Sequence, residues 1–311
     1  MNDLRIVFMG TPEFAVPSLE VLIKNGFRVV AVVTAPDRPQ GRGLKLTPSP
    51  VKECALQHGI PVLQPTNLKS PEFLEQLKSL RANLQVVVAF RMLPEAVWAM
   101  PPLGTFNLHA SLLPQYRGAA PINWAIINGE TETGVTTFFL QHEIDTGAII
   151  FQEREPISLS DDAGTLYDRL MEKGAQVVLK TVRAVAAGTC PAIPQKISGD
   201  LKPAPKIFKE HCKINWQQPG QRALNFIRGL SPYPAAWTTL NGRHFKIFQA
   251  TMIDVTSSEQ PGSIKTDNKT YLHVKVADGW LAVEELQGEG KRKMSIAEFF
   301  RGNTVSTNSD K

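Results

Sequence analysis

Three short, almost wholly apolar runs constrain the fold of this chain more than any other feature. They are LRIVFM from Leu4, FRVVAVVT from Phe27 and LQVVVAF from Leu84, and they alternate with segments of helical character. Strands that are apolar on both faces are typical of a parallel sheet covered by helices. The alternation predicts an open, Rossmann-like α/β sheet in the first part of the chain.

The turn after the first strand argues against one common use of such a sheet. It reads GTPEFA from Gly10 and keeps only the first glycine of the G-x-G-x-x-G fingerprint. That fingerprint needs its further glycines for the close approach of a pyrophosphate and for helix packing. We therefore expect no nicotinamide cofactor.

The segment APDRPQGRGLKLTPSP, residues 35–50, is too rich in Pro and Gly to predict regular structure, and it carries Arg38, Arg42 and Lys45. We expect a long mobile loop. Such a loop can be a solvated excursion, but loops of this length in compact domains are uncommon and often functional. A flexible arginine loop suits phosphate and base-edge contacts in a nucleic acid.

Chemistry is predicted in the stretch GTFNLHASLLPQYRGAA, which runs from Gly104 to Ala120. If TFNLH is a strand, its two-residue period puts Asn107 and His109 on one face. The loop that follows precedes a helix, at a place where open α/β sheets bind ligands. A turn at Asp145, between two further apolar strands, offers a carboxylate as the partner of His109.

These three groups suit acyl transfer from an amide-like donor to an amine. Asn107 can hydrogen-bond a developing oxyanion, protonated His109 can add positive charge, and Asp145 can orient the imidazole. A lone histidine after a strand is more often structural, so the prediction depends on the three residues together. His142 lacks the paired spacing of a metal site, and we expect it to be a solvated loop residue and the protein to need no metal.

Length and charge divide the chain into two domains, because 311 residues exceed a comfortable single core. Met1–Leu201 carries 18 Lys and Arg against 19 Asp and Glu, whereas Lys202–Lys311 carries 16 against 10, a net charge of +6. We place a catalytic domain at 1–189, a proline-rich linker at 190–206 and a basic domain at 207–311. The basic excess points to a polyanionic partner, and lysines that only aid solubility are the other interpretation.

The basic domain is predicted to be an OB-like β-barrel. The pair Asn241-Gly242 between two strand-like runs indicates a type I′ hairpin, and more short strands follow it. A helix is expected before them, over residues 220–230. The last residues, NTVSTNSDK from Asn303, are expected to be a disordered tail.

Two observations concern the cellular context. No apolar run approaches the ~20 residues that span a bilayer, and the first residues lack a charged-then-apolar signal. Three widely spaced cysteines, Cys54, Cys190 and Cys212, are expected to be reduced thiols. We expect a cytoplasmic enzyme that acts as a monomer and makes no membrane contact.

The motifs of the predicted site resemble those of the folate-dependent formyltransferases. The family shares an Asn-x-His pair, an SLLP loop and a later Asp-x-Gly, which stand here at Asn107, at residues 111–114 and at Asp145. Three more segments extend the resemblance to both ends of the chain. They are GTPEFAVPSLE from Gly10, PDRPQGRGLKLTPSPVK from Pro36 and IRGLSPYPAAW from Ile227.

The resemblance implies a reaction and its substrates. The formyl group of 10-formyltetrahydrofolate would pass to the amino group of the methionyl moiety of initiator Met-tRNA, releasing tetrahydrofolate and supporting translation initiation. Asn107, His109 and Asp145 would be catalytic. Arg42 would contact the tRNA at its acceptor end.

The resemblance also implies a folate site at the SLLP loop. Its contacts would come from Ser111, Leu112, Leu113 and Pro114. The chain differs from the family's more frequent pattern at Gln115, where a basic residue is more common. It also differs at Phe90-Arg91, expected beside the pterin, where Tyr-Gly is more common.

Two other functions stay open at this point. A formyltransferase for an amino sugar nucleotide or a small amine would share the predicted site, but it has no need for an arginine-rich loop and a separate basic domain. An RNA-binding protein that uses only the basic domain has no need for Asn107, His109 and Asp145 together.

Overall fold

The computed structural model describes residues 4–40, 45–197, 199–253, 255 and 257–306. The chain divides into two compact units. The first unit comprises Met1–Gly118, Thr133–Glu155 and Tyr167–Pro203, and the second comprises Ala119–Glu132, Pro156–Leu166 and Ala204–Lys311. The domain limits expected from the sequence, at residues 189 and 207, stay a prediction.

Helices and strands alternate through the first two thirds of the chain. In order they are β1 (Arg5–Gly10), α1 (Val16–Lys24), β2 (Arg28–Val33), β3 (Arg38–Gln40), β4 (Lys45–Thr47), α2 (Pro50–Gln57), β5 (Val62–Leu63), α3 (Pro71–Ser79), β6 (Leu84–Val88), α4 (Glu95–Trp98), β7 (Thr105–His109), α5 (Pro121–Ile127), β8 (Glu132–Phe139), β9 (Ile149–Pro156) and α6 (Ala163–Ala187). A short 3₁₀ helix, Glu13–Ala15, precedes α1.

A seven-stranded sheet with the order β5-β2-β1-β6-β7-β8-β9 forms the centre of the first unit. The strands from β5 to β7 are parallel, and β8 runs antiparallel to β7. All of β6 is buried, and so is β1 after its first residue. Burying each large aliphatic side chain contributes about 1.5–3 kcal/mol, so these apolar runs are stable only inside such a sheet.

Two helices of this unit, α2 and α3, begin after an N-cap serine. Ser49 accepts a hydrogen bond from the backbone N–H of Lys52, and Ser70 accepts one from that of Phe73. Each serine is followed by a proline at the first helical position, where the missing N–H costs nothing. Both helices therefore start at an N-cap serine.

The segment 35–50 is more regular than the loop that the sequence predicts, because β3 and β4 pair as an antiparallel ribbon. Pro39 is tolerated in this ribbon, since a strand with a free edge does not need every N–H. At the base, Lys52 Nζ donates to Asp37 Oδ2 at 2.6 Å. Arg42, the predicted tRNA contact, lies outside the described residues.

The elements that follow in the second unit are a 3₁₀ helix at Lys209–Cys212, α7 (Gly220–Leu230), β10 (Ala236–Leu240), β11 (Arg243–Ile253), β12 (Ile264–Thr266), β13 (Leu272–Lys275), β14 (Trp280–Gly288), β15 (Met294–Ser295) and α8 (Ile296–Phe300). The strands form an antiparallel sheet with the order β10-β11-β14-β13-β12, and β15 pairs with β14. These strands form a half-barrel. The predicted fold class, a Rossmann-like α/β sheet followed by an OB-like β domain, is confirmed.

The predicted type I′ hairpin joins β10 to β11. Both central residues are left-handed, with φ of +48° at Asn241 and +73° at Gly242. Such a turn follows the natural twist of the two strands and needs residues that tolerate positive φ. The sequence signal and the structure therefore agree.

The predicted disorder is wrong for residues 303–306, which are bound to the second unit. Val305 is buried, and its N–H donates to Asn268 Oδ1 at 2.8 Å. The N–H of Ser306 donates to Asn241 Oδ1 at 3.0 Å. One apolar residue in a polar stretch is enough to anchor it when backbone donors also find acceptors.

Among the described residues, none of the helices combines the length and the apolar character needed to cross a membrane. The same residues contain no group of three or more His, Cys, Asp or Glu arranged to hold a metal ion. The three cysteines are free thiols, and burial raises the pKa of Cys54 and Cys212.

Candidate active site

Strand β7 presents Asn107 and His109 on the same face, as the sequence predicts. Asn107 lies opposite Val87 of β6, and His109 lies opposite Thr136 of β8. His109 is buried and Asn107 is half-buried. Within the described part of the chain, the Asn107 carboxamide has no hydrogen-bond partner, so its donors remain available to a ligand.

The imidazole of His109 is held by a backbone carbonyl. Its Nε2 lies 2.8 Å from the carbonyl oxygen of Tyr116. A carbonyl only accepts hydrogen bonds, so this nitrogen carries a proton. Nδ1 lies 3.9 Å from Oδ2 of Asp145, which is ion-pair distance but too long for a hydrogen bond. The two groups that face the ring nitrogens, a backbone carbonyl and a carboxylate, are both acceptors.

Asp145 occupies a tight turn that follows β8. Its φ is +54°, a left-handed conformation that aspartate tolerates better than most residues. The backbone N–H of Gly118 donates to its Oδ2 at 3.0 Å. At Gly147 a Cβ atom would overlap the carbonyl oxygen of Phe139, so only glycine lets the turn lie against β8. The Asp-Thr-Gly motif thus has a steric basis.

The SLLP loop is held in place by hydrogen bonds to neighbouring residues of the protein. Ser111 Oγ donates to the carbonyl oxygen of Gln115 at 2.6 Å, and Thr136 Oγ1 donates to the carbonyl oxygen of Ser111 at 2.6 Å. Ser111 and Leu113 are buried. Leu112 and Pro114 are half-buried. The predicted folate contacts of this loop stay a prediction, and its partly accessible side chains are those of Leu112 and Pro114.

One residue of the site was missed by the sequence interpretation. Gln195, in the segment predicted to be a linker, donates from Nε2 to the carbonyl oxygens of Asp145 at 2.8 Å and of Gly147 at 2.9 Å. Its Oε1 accepts from Arg117 Nη2 at 2.6 Å. Proline-rich sequence around Gln195 gives no sign of these contacts. The Tyr116 carbonyl was also missed, because every residue has one.

The positions that depart from the family pattern have internal partners. Gln115 Nε2 donates to the carbonyl oxygen of Asp200 at 3.1 Å, and its Oε1 accepts from the N–H of Lys202 at 2.8 Å. Arg91 donates to the carbonyl oxygens of Thr66, at 3.0 Å, and of Pro65. These substitutions therefore tie neighbouring segments together.

His142 is exposed, as expected of a loop residue. Its ring stacks edge-on against Trp98, with 5.4 Å between the centroids. Its Nε2 lies 3.4 Å from Glu95 Oε1. Neither contact involves His109 or Asp145.

The arrangement is suited to stabilise an oxyanion at the carboxyl end of β7. Among the described residues Asn107 has an amide donor without a partner, on the same face of β7 as buried His109, and the half-buried Asp145 carboxylate lies 3.9 Å from that imidazole. Preorganised donors of this kind stabilise charge that develops in an acyl-transfer transition state. The fold and this geometry are those expected of an acyl-group transferase built on an open α/β sheet.

Comparisons with known proteins identify the family. The model described as formyl transferase matches residues 4–182, and the one described as formyl transferase, C-terminal domain, matches residues 206–304. The chain therefore belongs to the formyl transferase family.

Within that family, similar curated proteins are named methionyl-tRNA formyltransferase. The protein of that name from Parabacteroides distasonis is 57% identical, over 97% of this chain and 96% of its own. The one from Bacteroides fragilis is 55% identical, over 97% and 95%. The one from Flavobacterium johnsoniae is 51% identical, over 98% of both chains.

Solved structures share the fold. An N-formyltransferase from Helicobacter canadensis, in complex with folinic acid and dTDP-3-aminofucose, has a TM-score of 0.68 at 23% identity, over 94% of this chain and 100% of its own. HypX from Aquifex aeolicus, in complex with tetrahydrofolic acid, has a TM-score of 0.66 at 18% identity, over 97% of this chain and 48% of its own.

Proposed function

We propose that this protein transfers the formyl group of 10-formyltetrahydrofolate to the amino group of the methionine carried by initiator Met-tRNA. The observation that carries the proposal is the Asn107 carboxamide, which has no hydrogen-bond partner among the described residues and shares a strand face with His109, the neighbour of Asp145. Relatives that match nearly the whole chain bear the corresponding name. The reaction would take place in the cytoplasm, where it supports translation initiation.

The proposed chemistry is direct attack of the amine on the formyl carbon. The new C–N bond forms as the carbonyl oxygen gains negative charge, and the bond from the carbon to N10 of the folate then breaks. A proton leaves the attacking nitrogen and one reaches N10, so charge balances. Asn107 donates a hydrogen bond to the oxyanion, which strengthens as the charge develops.

In this mechanism His109 contributes positive charge. Its Nε2–H is occupied by the Tyr116 carbonyl, so protonated His109 acts on the oxyanion through its charge at short range. Asp145, 3.9 Å from Nδ1, keeps that charge in place. Burial of the ring increases the effect, because water screens a buried charge less.

The donor would bind at the carboxyl ends of β6 and β7. Support comes from the position of the SLLP loop directly after β7 and from its internal hydrogen bonds, which give a ligand a fixed wall. Leu112 and Pro114 offer half-buried apolar surface there. An aromatic pterin suits such a wall, since apolar contacts and a few fixed polar groups are typical of cofactor-sized sites.

The acceptor would be chosen by the basic features of the chain. The stretch Lys202–Lys311 has a net charge of +6, and Arg42 falls between β3 and β4 in the sequence. We expect Arg42→Ala to lower kcat/KM for Met-tRNA about 10- to 100-fold, the scale of a lost charge-assisted contact. The Kd for the folate donor should not change. Steady-state kinetics and donor titration measure the two, and a loss of donor affinity with normal tRNA kinetics would put the loop at the wrong end of the site.

The proposal is tested with one donor and three acceptors. Formyl transfer from 10-formyltetrahydrofolate is measured to Met-tRNA, to free methionine and to a dTDP-linked amino sugar. We expect rapid transfer to Met-tRNA and none above background to the other two. Transfer to the amino sugar alone would establish the small-acceptor alternative, and binding of tRNA without any transfer would establish an RNA-binding protein.

A further inference from the structure

A side chain from outside the predicted site clamps the Asp145 turn through its backbone. Gln195 donates to the carbonyl oxygens of Asp145 and Gly147 at 2.8 and 2.9 Å, and it accepts from Arg117 at 2.6 Å. Carbonyls only accept and a guanidinium only donates, so the Gln195 amide fits in one orientation. A single amide thus fixes two points of the turn.

Gln195 differs from its neighbours in the chain. Pro194 and Lys196 are exposed, whereas Gln195 is half-buried. Two residues earlier, Ile193 and Ile149 exchange backbone hydrogen bonds of 2.8 and 2.9 Å. The segment is therefore attached to the start of β9, and the amide has a fixed position relative to the sheet.

Arg117 and Gly118 hold the same turn from two sides. The N–H of Gly118 donates to the Asp145 carboxylate at 3.0 Å, and Arg117 acts on the turn through Gln195. A charged donor on the Gln195 oxygen polarises the amide and strengthens the hydrogen bonds that its nitrogen donates. The Arg117 Nε is buried and has no hydrogen-bond partner within the described residues, so Gln195 is the contact that orients this guanidinium.

We infer that Gln195, oriented by Arg117, is a positioning residue for formyl transfer that keeps the Asp145 carboxylate beside His109. A left-handed backbone at a residue other than glycine persists only where its surroundings hold it, and Asp145 has a φ of +54°. Without the clamp the turn relaxes, and the carboxylate moves away from the ring. The inference rests on the proposed catalytic role of Asp145.

The first test compares two glutamines that contact the same turn. Gln195→Leu should lower kcat about 10- to 100-fold, the cost of a small displacement of a reacting group, with each KM within about threefold of the wild type. Gln141→Leu is the matched control. Gln141 donates to Thr146 Oγ1 at 2.6 Å and does not hydrogen-bond the carbonyl oxygens of Asp145 and Gly147. The kcat of the Gln141→Leu variant should therefore equal that of the wild type. Wild-type turnover in folded Gln195→Leu would overturn the inference.

The second test asks whether Gln195 acts through Asp145. The double variant Gln195→Leu with Asp145→Ala should turn over as slowly as Asp145→Ala alone, because the clamp then has nothing to position. If the double variant were slower than Asp145→Ala by the full factor that Gln195→Leu causes alone, the inference would be overturned. The same comparison separates a positioning role of Gln195 from a general loss of protein stability. A loss of stability would lower the activity of the Asp145→Ala variant further.

A third readout does not need activity. Amide hydrogen exchange across residues 143–148 should be faster in Gln195→Leu than in the wild type and unchanged in Gln141→Leu. If the wild type formylates no Met-tRNA but this exchange difference is found, the proposed function fails and the clamp stands. If the wild type is active and both exchange and kcat are unchanged in Gln195→Leu, the clamp alone is refuted.

Discussion

The two units hold their charged groups in opposite ways. In the first, the side chains of His109 and Asp145 are only 7% and 12% exposed, and backbone groups fix both of them. In the second, exposed Lys209 and Lys213 and half-buried Lys246 surround Trp237. Buried groups act over short distances at fixed positions, whereas solvated cations act over a Debye length. Substitutions should therefore have large, specific effects in the first unit and small, cumulative ones in the second.

The three lysines around Trp237 form the basic cluster. Lys213 Nζ lies 5.7 Å from the centre of the Trp237 ring, and Lys246 pairs with Trp237 in the β10-β11 register. Trp237 Nε1 donates to the carbonyl oxygen of Lys209 at 2.8 Å. Within the described residues none of these lysines is ion-paired, so all three can neutralise phosphates of a bound polyanion.

The largest effects are expected in the first unit. Asn107→Ala, His109→Ala and Asp145→Ala should each lower kcat by about two to four decades, the scale of one lost oxyanion donor or acid-base group. Single-turnover rates at saturating substrates measure this. The exposed His142 provides the control, and His142→Ala should be as active as the wild type. A folded His109→Ala variant with normal turnover would remove that residue from the chemistry.

A smaller and different effect is expected from the basic cluster. Replacing Lys209, Lys213 and Lys246 together by alanine should weaken Met-tRNA binding and reduce the slope of log affinity against log salt by about 2 to 3, for three lost phosphate contacts. The rate at saturating tRNA should not change. Fluorescence titrations over a range of salt concentrations measure the slope.

The control for the cluster removes lysines that are already paired. Lys24, Lys180 and Lys265 each lie within 3 Å of a glutamate, at 2.7, 2.9 and 2.5 Å. Replacing these three by alanine removes the same formal charge and should leave the salt slope closer to the wild-type value. Equal slopes in both triple variants would show that net charge, not the cluster, determines binding.

Substitution is a cleaner test than deletion of the basic part. In the second unit Asn123 Nδ2 donates to the carbonyl oxygen of Gly229 at 2.8 Å, so α5 depends on α7. Removing residues from 204 onward would leave α5 without this partner. A truncated protein would therefore confuse loss of charge with loss of structure.

The smallest effect concerns a turn in the second unit. The Thr270 hydroxyl and nearby backbone N–H groups donate to Asp267, which holds the pKa of that carboxyl well below its usual range. A depressed folded pKa gives stability that is present above the unfolded value of about 4 and is lost as the pH falls through the folded value. Asp267→Ala should therefore lower Tm at pH 7, and the difference from the wild type should narrow below about pH 4. If the Tm difference between Asp267→Ala and the wild type stayed constant down to pH 3, the charge of Asp267 would not contribute to stability.

The sequence predicts elements well where local chemistry determines them. Apolar runs fix the parallel strands, Ser70 fixes the start of α3, and Asn241-Gly242 fixes a hairpin. The β3-β4 ribbon was missed, because it depends on backbone pairing without an apolar pattern.

The candidate site likewise contains residues that local sequence predicts and residues that it does not. Asn107 and His109 follow from the period of one strand. Gln195 and the Tyr116 carbonyl do not, since their contacts join positions that are distant in sequence or use groups that every residue carries. The sequence therefore predicts the reactive side chains but not the groups that hold them.

One measurement tests most directly whether the buried site carries the chemistry while the exposed basic residues carry tRNA binding. Single-turnover formyl transfer is followed at saturating folate while Met-tRNA is titrated, first at low and then at high salt. We expect the half-saturating tRNA concentration to rise steeply with salt and the rate constant at saturation to stay the same, because His109 is buried. A rate constant that falls with salt at an unchanged half-saturating concentration would contradict it.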